Sequence, residues 1–202
     1  ERAFLRDANP WGVILFARNV ETPDQVVRLV AEVRETLGRR APVLIDQEGG
    51  RVARLGPPHW AGWPSVIEDA ARGPEALRLR FRLIAAELAE LGIDVDCMPL
   101  LDLPVAGADP VIGDRALGRR AGEVAERGRA VCQGLRAGGV LPVIKHLPGH
   151  GRADADSHLA LPRVGTDLST LRQTDFAPFR ALSDEALGMT AHVVYAALDA
   201  HR

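Results

Sequence analysis

Short, mainly apolar runs alternate with longer amphipathic stretches along the whole chain. Five runs, at residues 11–16, 42–46, 93–98, 141–145 and 188–192, have the length of strands, and their continuous hydrophobicity is that of strands covered on both faces. Between them, apolar residues recur three and four positions apart, as in Val26, Val27, Val30, Val33 and Leu37. This spacing predicts helices at 23–37, 74–91, 123–137 and 175–182. Thr22 followed by Pro23 marks a helix start, because the hydroxyl can cap a free N–H of the first turn and proline brings none of its own. Residues 1–8 read as a further helix. The rhythm predicts an α/β fold with a parallel sheet under helices.

The polar residues gather at one end of the predicted strands. Asp46-Gln47-Glu48 follows the second, Asp102 lies just beyond the third, Lys145-His146 closes the fourth, and Thr190 to His192 closes the fifth. Barrels of the (β/α)8 type draw their catalytic groups from this end of several strands. A doubly wound sheet would also place its site there, but no GxGxxG follows any strand. The expected architecture is a (β/α)8 TIM-type barrel, here incomplete, with about five βα units and with the first and last strands missing. Residues 1–202 then form a single partial catalytic domain.

Composition narrows the partners. A chain of 202 residues that is 47% hydrophobic and 26% charged suits one globular domain, and a net charge of −2 gives no electrostatic footprint for nucleic acid. No apolar run approaches the roughly 20 residues of a membrane-spanning helix. Cys97 and Cys132 sit among core-type residues, which suits a reducing compartment and a cytoplasmic location. Glu1 opens a helix already under way, which leaves room for an upstream targeting segment.

Residues 145–158, KHLPGHGRADADSH, hold the only lysine of a chain with 25 lysines and arginines in all. Lysine is a compact point charge and arginine a planar fork, so one retained lysine at a strand end suggests a site that needs the former. Lys145 and His146 at the end of a buried strand also need a partner or a ligand. Asp156 and His158, two apart in a loop, can form an Asp–His pair that fixes the imidazole tautomer and makes it a proton shuttle; the alternative is a solvated loop with a capping aspartate. His146, His150, Asp154, Asp156 and His158 are all possible metal ligands, yet their spacing matches no metal motif, and neither metal nor cofactor is expected. Asp46, ahead of a Gly49-Gly50 turn, offers a nucleophile, a base or a hydroxyl-binding group, or else a salt bridge to Arg51 or Arg54. Arg115 offers a ligand clamp or a pair with Asp114.

Taken together, WGVILFARN, IDQEGGRVARL, GDRALG, VIKHLPGHGRADADSH with LALP after it, and MTAHVVY are similar to the bacterial β-N-acetylglucosaminidases of glycoside hydrolase family 3. They occur in family order and span nearly all of the chain. The resemblance implies a retaining exo-β-N-acetylglucosaminidase that removes terminal N-acetylglucosamine from muropeptide disaccharides. It implies His158 as general acid/base and Asp156 as its orienting partner. Asp46, Arg54, Arg115, Lys145 and His146 become sugar-binding groups, so Asp46 is no nucleophile in this reading. The implied partner is a small carbohydrate, with no nucleic acid and no membrane.

The family's nucleophile, an aspartate on a strand beyond the MTAHVVY segment, would fall after Arg202. This segment by itself is therefore expected to be inactive. Two other readings stay open: a phosphorolytic or broader β-glycosidase of the same family, and an inactive sugar-binding module.

Overall fold

The computed structural model describes residues 1–157 and 159–199. Helix α1 (Arg2–Ala8) leads into β1 (Val13–Leu15), followed by α2 (Pro23–Leu37), β2 (Val43–Ile45), α3 (Val66–Ala70), α4 (Pro74–Glu90), β3 (Val95–Asp96) and α5 (Ala121–Ala137). Then come β4 (Leu141–Pro142), β5 (Ile144–Leu147), β6 (Arg163–Val164), α6 (Leu168–Gln173), α7 (Ala177–Ala181), β7 (Gly188–Thr190) and β8 (Val194–Tyr195).

The strands pair in parallel and in chain order, β1 with β2, β2 with β3 and β3 with β4. The path continues through β5, which pairs with β7. Only Val143 separates β4 from β5. Its N–H points at Asp96 O and Met98 O, at 3.1 and 3.0 Å, and two bonds then tie Lys145 to the chain after β3, Lys145 N to Pro99 O at 3.0 Å and Leu101 N to Lys145 O at 2.7 Å. The five predicted runs thus become five neighbouring positions in an arc of parallel barrel, with β1 and β7 at its two ends.

Local chemistry sets the helices. Thr22 Oγ1 accepts from Gln25 N at 3.2 Å, and Gly38 closes α2 in the left-handed conformation at φ 64°, where a side chain is disfavoured. One face of α2 buries Val26, Val30 and Val33. Helix α4 buries Leu77, Phe81, Ile84 and Leu88, and α5 buries Val124, Val131 and Leu135, all in the main core cluster with Ile45, Leu100 and Leu101. These two helices touch closely at Gly134, where a Cβ would stand 2.3 Å from the Arg78 carbonyl oxygen. Because that oxygen belongs to backbone, the helices would have to move apart. Gly134→Ala is expected to lower stability by about 1–3 kcal/mol despite alanine's better helix propensity, as measured by urea unfolding. A neutral or stabilising result would mean that the helix contact is slack.

The structure corrects several boundaries. Of residues 93–98 only Val95–Asp96 pair as a strand, because Met98 N turns back onto Asp96 O at 2.8 Å and the chain leaves the ladder. The helix expected at 175–182 shrinks to α7. The unpredicted α6 precedes it, opened by Asp167, whose carboxylate accepts from Thr170 N at 2.9 Å. Helices of five or six residues, α3 among them, hold too few turns for a periodicity to register.

The small parallel pair β6 and β8 carries its own cluster of Val164, Leu171 and Tyr195. The Tyr195 hydroxyl donates to Gly149 O, and Arg152 Nε pairs with Asp175 Oδ2 at 2.7 Å. The glycine-rich loop after β5 is therefore pinned from both of its arms.

Candidate active site

The site grows from the carboxyl ends of β2, β3 and β5. After Ile45 the chain leaves the core with Asp46, Gln47 and Glu48, and Gln47 folds the following loop back over the strand end. Its Oε1 accepts from Arg54 N and Leu55 N at 2.9 and 3.0 Å, and its Nε2 donates to Leu55 O at 2.9 Å. That loop returns Arg54 to Asp46, Nη2 to Oδ2 at 3.1 Å, with the guanidinium over the Phe16 ring. Gly49, at φ 95°, makes the turn; a Cβ there would overlap Arg80 Nη2 at 2.0 Å. Arg80 braces the turn from α4, donating to Glu48 O at 2.8 Å and Pro64 O at 2.7 Å.

Lys145 is the centre of the charge array. Only 1% exposed, its Nζ lies 2.9 Å from Asp46 Oδ1 and 2.7 Å from Glu48 Oε1. Arg115 grips the same Glu48 with two parallel bonds, Nε to Oε2 and Nη2 to Oε1, each 2.8 Å. Such a fork is the geometry that makes arginine–carboxylate pairs strong. Burial by itself would raise the Asp46 and Glu48 carboxyls, but the Lys145 ammonium and the two arginines outweigh it and hold both below the usual range. Burial likewise works against the Lys145 ammonium, yet Glu48 and Asp46 hold its pKa above the ordinary value. Asp96, buried beneath them, takes the opposite course. Burial raises its carboxyl well above the usual range, and its Oδ1 accepts the N–H of Gln47 at 3.0 Å.

A second array starts where the Lys145–His146 peptide bond, which is cis, coincides with a register slip against β7. His146 Nδ1 meets Asp102 Oδ2 at 2.8 Å, and Asp102 Oδ1 accepts the backbone N–H of His150 at 2.6 Å and of His146 at 3.3 Å. Asp102 is fully buried. Burial would raise its carboxyl, but His146 and the two N–H groups hold it below the usual range. His146, Arg115 and His150 line a cavity of about 210 Å³ together with Ser157, Met189 and His192. Asp156 lines the adjoining hollow with Arg51 and Asp114.

The expected residues fall into place unevenly. Asp46, Arg54, Arg115 and Lys145 meet through shared carboxylates, and His146 joins Arg115 on the cavity wall. Arg115 does not pair with Asp114: Arg51 takes that carboxylate at 3.0 Å, leaving Glu48 to Arg115, and Arg115 ends a 3₁₀ turn several residues ahead of α5. Of the two arginines offered to Asp46, Arg54 is the partner. Asp156 is on the loop beside the cavity, while His158 lies outside the described residues, and so does their pairing. Sequence reasoning assigned nothing to Glu48 and left Asp102 as a polar strand-end residue. The signal for Glu48 was its place two residues after Asp46, at the end of a buried strand. Among the described residues, no group of three or more His, Cys, Asp and Glu side chains is arranged to hold a metal ion. No helix among them is long and apolar enough to cross a membrane.

Fold and site together define a parallel α/β domain, the open arc of a barrel, whose strand ends present charged groups in fixed hydrogen-bonding positions. The model of the glycosyl hydrolase family 3 N-terminal domain matches residues 1–202, and the chain belongs to this family. It is 41% identical to a beta-hexosaminidase of Methylococcus capsulatus over 99% of this chain and 61% of that protein. Among solved structures it is similar to NagZ from Neisseria gonorrhoeae in complex with N-trifluoroacetyl-D-glucosamine, at 36% identity and a TM-score of 0.91, over 98% of this chain and 61% of that one. A family 3 β-N-acetylglucosaminidase from a Paenibacillus strain gives 34% identity and a TM-score of 0.91, over 100% of this chain and 39% of that one. The chain spans 57–61% of the length of the hexosaminidases of Methylococcus and Neisseria meningitidis that it matches.

Proposed function

We propose that the complete polypeptide is a retaining exo-β-N-acetylglucosaminidase acting on N-acetylglucosamine-terminated muropeptide disaccharides. The observation that carries this reading is the buried array Asp46–Lys145–Glu48–Arg115, flanked by Arg54 and, on the cavity wall, by His146. A sugar presents several hydroxyls, each both donor and acceptor, and an array of preset charges meets them without reorganising. Asp46 accepts, and Lys145, Arg54, Arg115 and His146 donate, while the buried Glu48 holds Lys145 and Arg115 in place. The hexosaminidase relatives and the N-acylglucosamine analogue bound by the Neisseria enzyme give the sugar its class.

In the reaction, His158, oriented by Asp156, gives its proton to the glycosidic oxygen as the C1–O bond breaks. An aspartate from beyond Arg202 takes C1 as a covalent ester. His158 then removes a proton from water, which attacks C1 and frees the aspartate. The two buried free thiols fit a reducing compartment, and cytoplasmic cell-wall recycling is the setting this implies.

The test is hydrolysis of a nitrophenyl N-acetyl-β-glucosaminide by the complete polypeptide, followed by NMR from the first turnovers. The expected first product is β-N-acetylglucosamine. Early release of the α anomer, or cleavage of the glucoside in preference to the N-acetylglucosaminide, would overturn the reading.

A further inference from the structure

One histidine at the cavity has no part in gripping the sugar or in the proposed proton transfer. His150 is buried, and its ring stands edge-on to His146 with centroids 5.9 Å apart. Its backbone N–H is held by Asp102 Oδ1 at 2.6 Å, on the carboxylate that also fixes the His146 ring. Both ends of the stretch from His146 to His150 therefore rest on one buried anion. From that anchored position the His150 ring reaches across the cavity wall, and Nε2 lies 3.0 Å from Ser157 Oγ.

Ser157 is the residue between Asp156 and His158. Its segment buries little: Leu159 and Leu161 stand 87% and 65% exposed, and none of the described residues from 154 to 161 is buried. Polar contacts must set its position instead. On the ring's other side Nδ1 is buried and has no hydrogen-bond partner among the described residues. A doubly protonated ring would leave an N–H there without an acceptor, and burial pushes His150 below its ordinary value. The ring is thus a neutral imidazole whose Nε2 side is committed to Ser157.

We infer that His150 is a positioning residue: it latches Ser157, the chain neighbour of the proton donor, to the Asp102 anchor that also holds the sugar-gripping His146. This rests on the reading of Asp156 and His158 as the acid/base pair. The latch explains why a loop with so little apolar burial can deliver a proton to a fixed point, since small misplacements of a reacting group are costly in rate.

The experiment compares kcat/KM of the complete polypeptide on N-acetyl-β-glucosaminides with a poor (alkyl) and an activated (dinitrophenyl) leaving group. Only the former needs a proton to depart. Ser157→Ala is expected to lower kcat/KM on the alkyl substrate by roughly 3- to 10-fold, the worth of one hydrogen bond, with little change on the activated one. N-acetylglucosamine affinity by calorimetry stays as in the parent, and Ser157→Thr, which restores a hydroxyl, regains most of the loss. Adding Ser157→Ala to His150→Leu costs nothing further, because the two variants break the same bond. Equal losses on both substrates, or no loss from Ser157→Ala, would overturn the latch. His158→Ala without any dependence on the leaving group would instead overturn the acid/base reading beneath it.

Discussion

Lys145→Met destabilises the protein by about 3–5 kcal/mol and abolishes measurable sugar binding, the expected cost of breaking a buried ion array by removing one partner. Methionine nearly matches the lysine stem in length, so the loss is one of charge and not of volume. What remains is Asp46 and Glu48, whose shared ammonium at 2.9 and 2.7 Å is gone, with Arg54 on the other oxygen of Asp46 and Arg115 on both oxygens of Glu48. The pH dependence identifies the cause. In the parent both carboxyls are held below their ordinary values of 3.8 and 4.5, so they contribute stability that is present above those values and lost as the pH falls through the lower folded ones. Lys145 is held above 10.5, so its contribution is complete below that pH and is lost as the pH rises through the higher folded value. Without the ammonium, only Arg54 and Arg115 oppose burial, and the two carboxyls titrate higher than in the parent. The stability they contribute above their folded values shrinks accordingly. Urea unfolding from pH 2 to 7 should therefore show the variant weakening relative to the parent as the pH rises. A constant offset across that window would mean that the array is not what the lysine sustains.

The requirement for lysine and not arginine has a geometric basis. Nζ sits between two carboxylates on one strand end in a place that is 1% exposed, where a point charge with rotating donors serves both. The remaining contacts on these carboxylates come from arginines, Arg115 as a planar fork on Glu48 and Arg54 with a single bond to Asp46 Oδ2. Lys145→Arg is correspondingly not conservative at this site.

The arc of strands was legible in the sequence because short, mainly apolar runs recur between amphipathic ones. That signal is clearest in the buried Val43–Ile45 and weakest at 93–98, which hold Asp94 and Asp96, and at the half-exposed β7. Helices α2, α4 and α5 were legible because each is long enough to repeat its apolar face several times. The site was legible only as a list. Asp46, Lys145 and His146 could be placed at strand ends, but which charge meets which depends on how the strands lie side by side. Arg115 has Asp114 next to it in the chain and instead reaches Glu48, 67 positions away. Asp102 serves His146 across 44 positions, and nothing in its own neighbourhood marks it as the anchor of that loop. His150 looked like one more histidine in a polar loop; its role rests on a bond to Ser157 that only the turn of residues 148–153 brings within reach.

His158→Ala lowers kcat/KM of the complete polypeptide toward alkyl N-acetylglucosaminides by about 10²- to 10⁴-fold, the usual worth of a general acid, and costs far less on the dinitrophenyl glycoside. The electrostatics of the pocket argue for a histidine in this role. Asp46, Glu48 and Asp102 are all held below the usual carboxylate range and therefore stay ionised near neutral pH. Lys145, Arg54 and Arg115 already match Asp46 and Glu48, and a carboxylic acid acting as proton donor would leave one anion more once its proton was given up. An imidazolium that gives up its proton becomes neutral, so the donor leaves no new anion in a crowded site. Sugar affinity is expected to survive in His158→Ala, because the groups proposed to bind the sugar, Asp46, Arg54, Arg115, Lys145 and His146, are untouched. Asp156→Asn should shift activity in the same direction by a smaller factor, since the amide can still orient a ring but no longer stabilises its charge. If His158→Ala lost equally on both leaving groups, or lost sugar binding by calorimetry together with activity, His158 would be a binding residue and the proton would have to come from elsewhere.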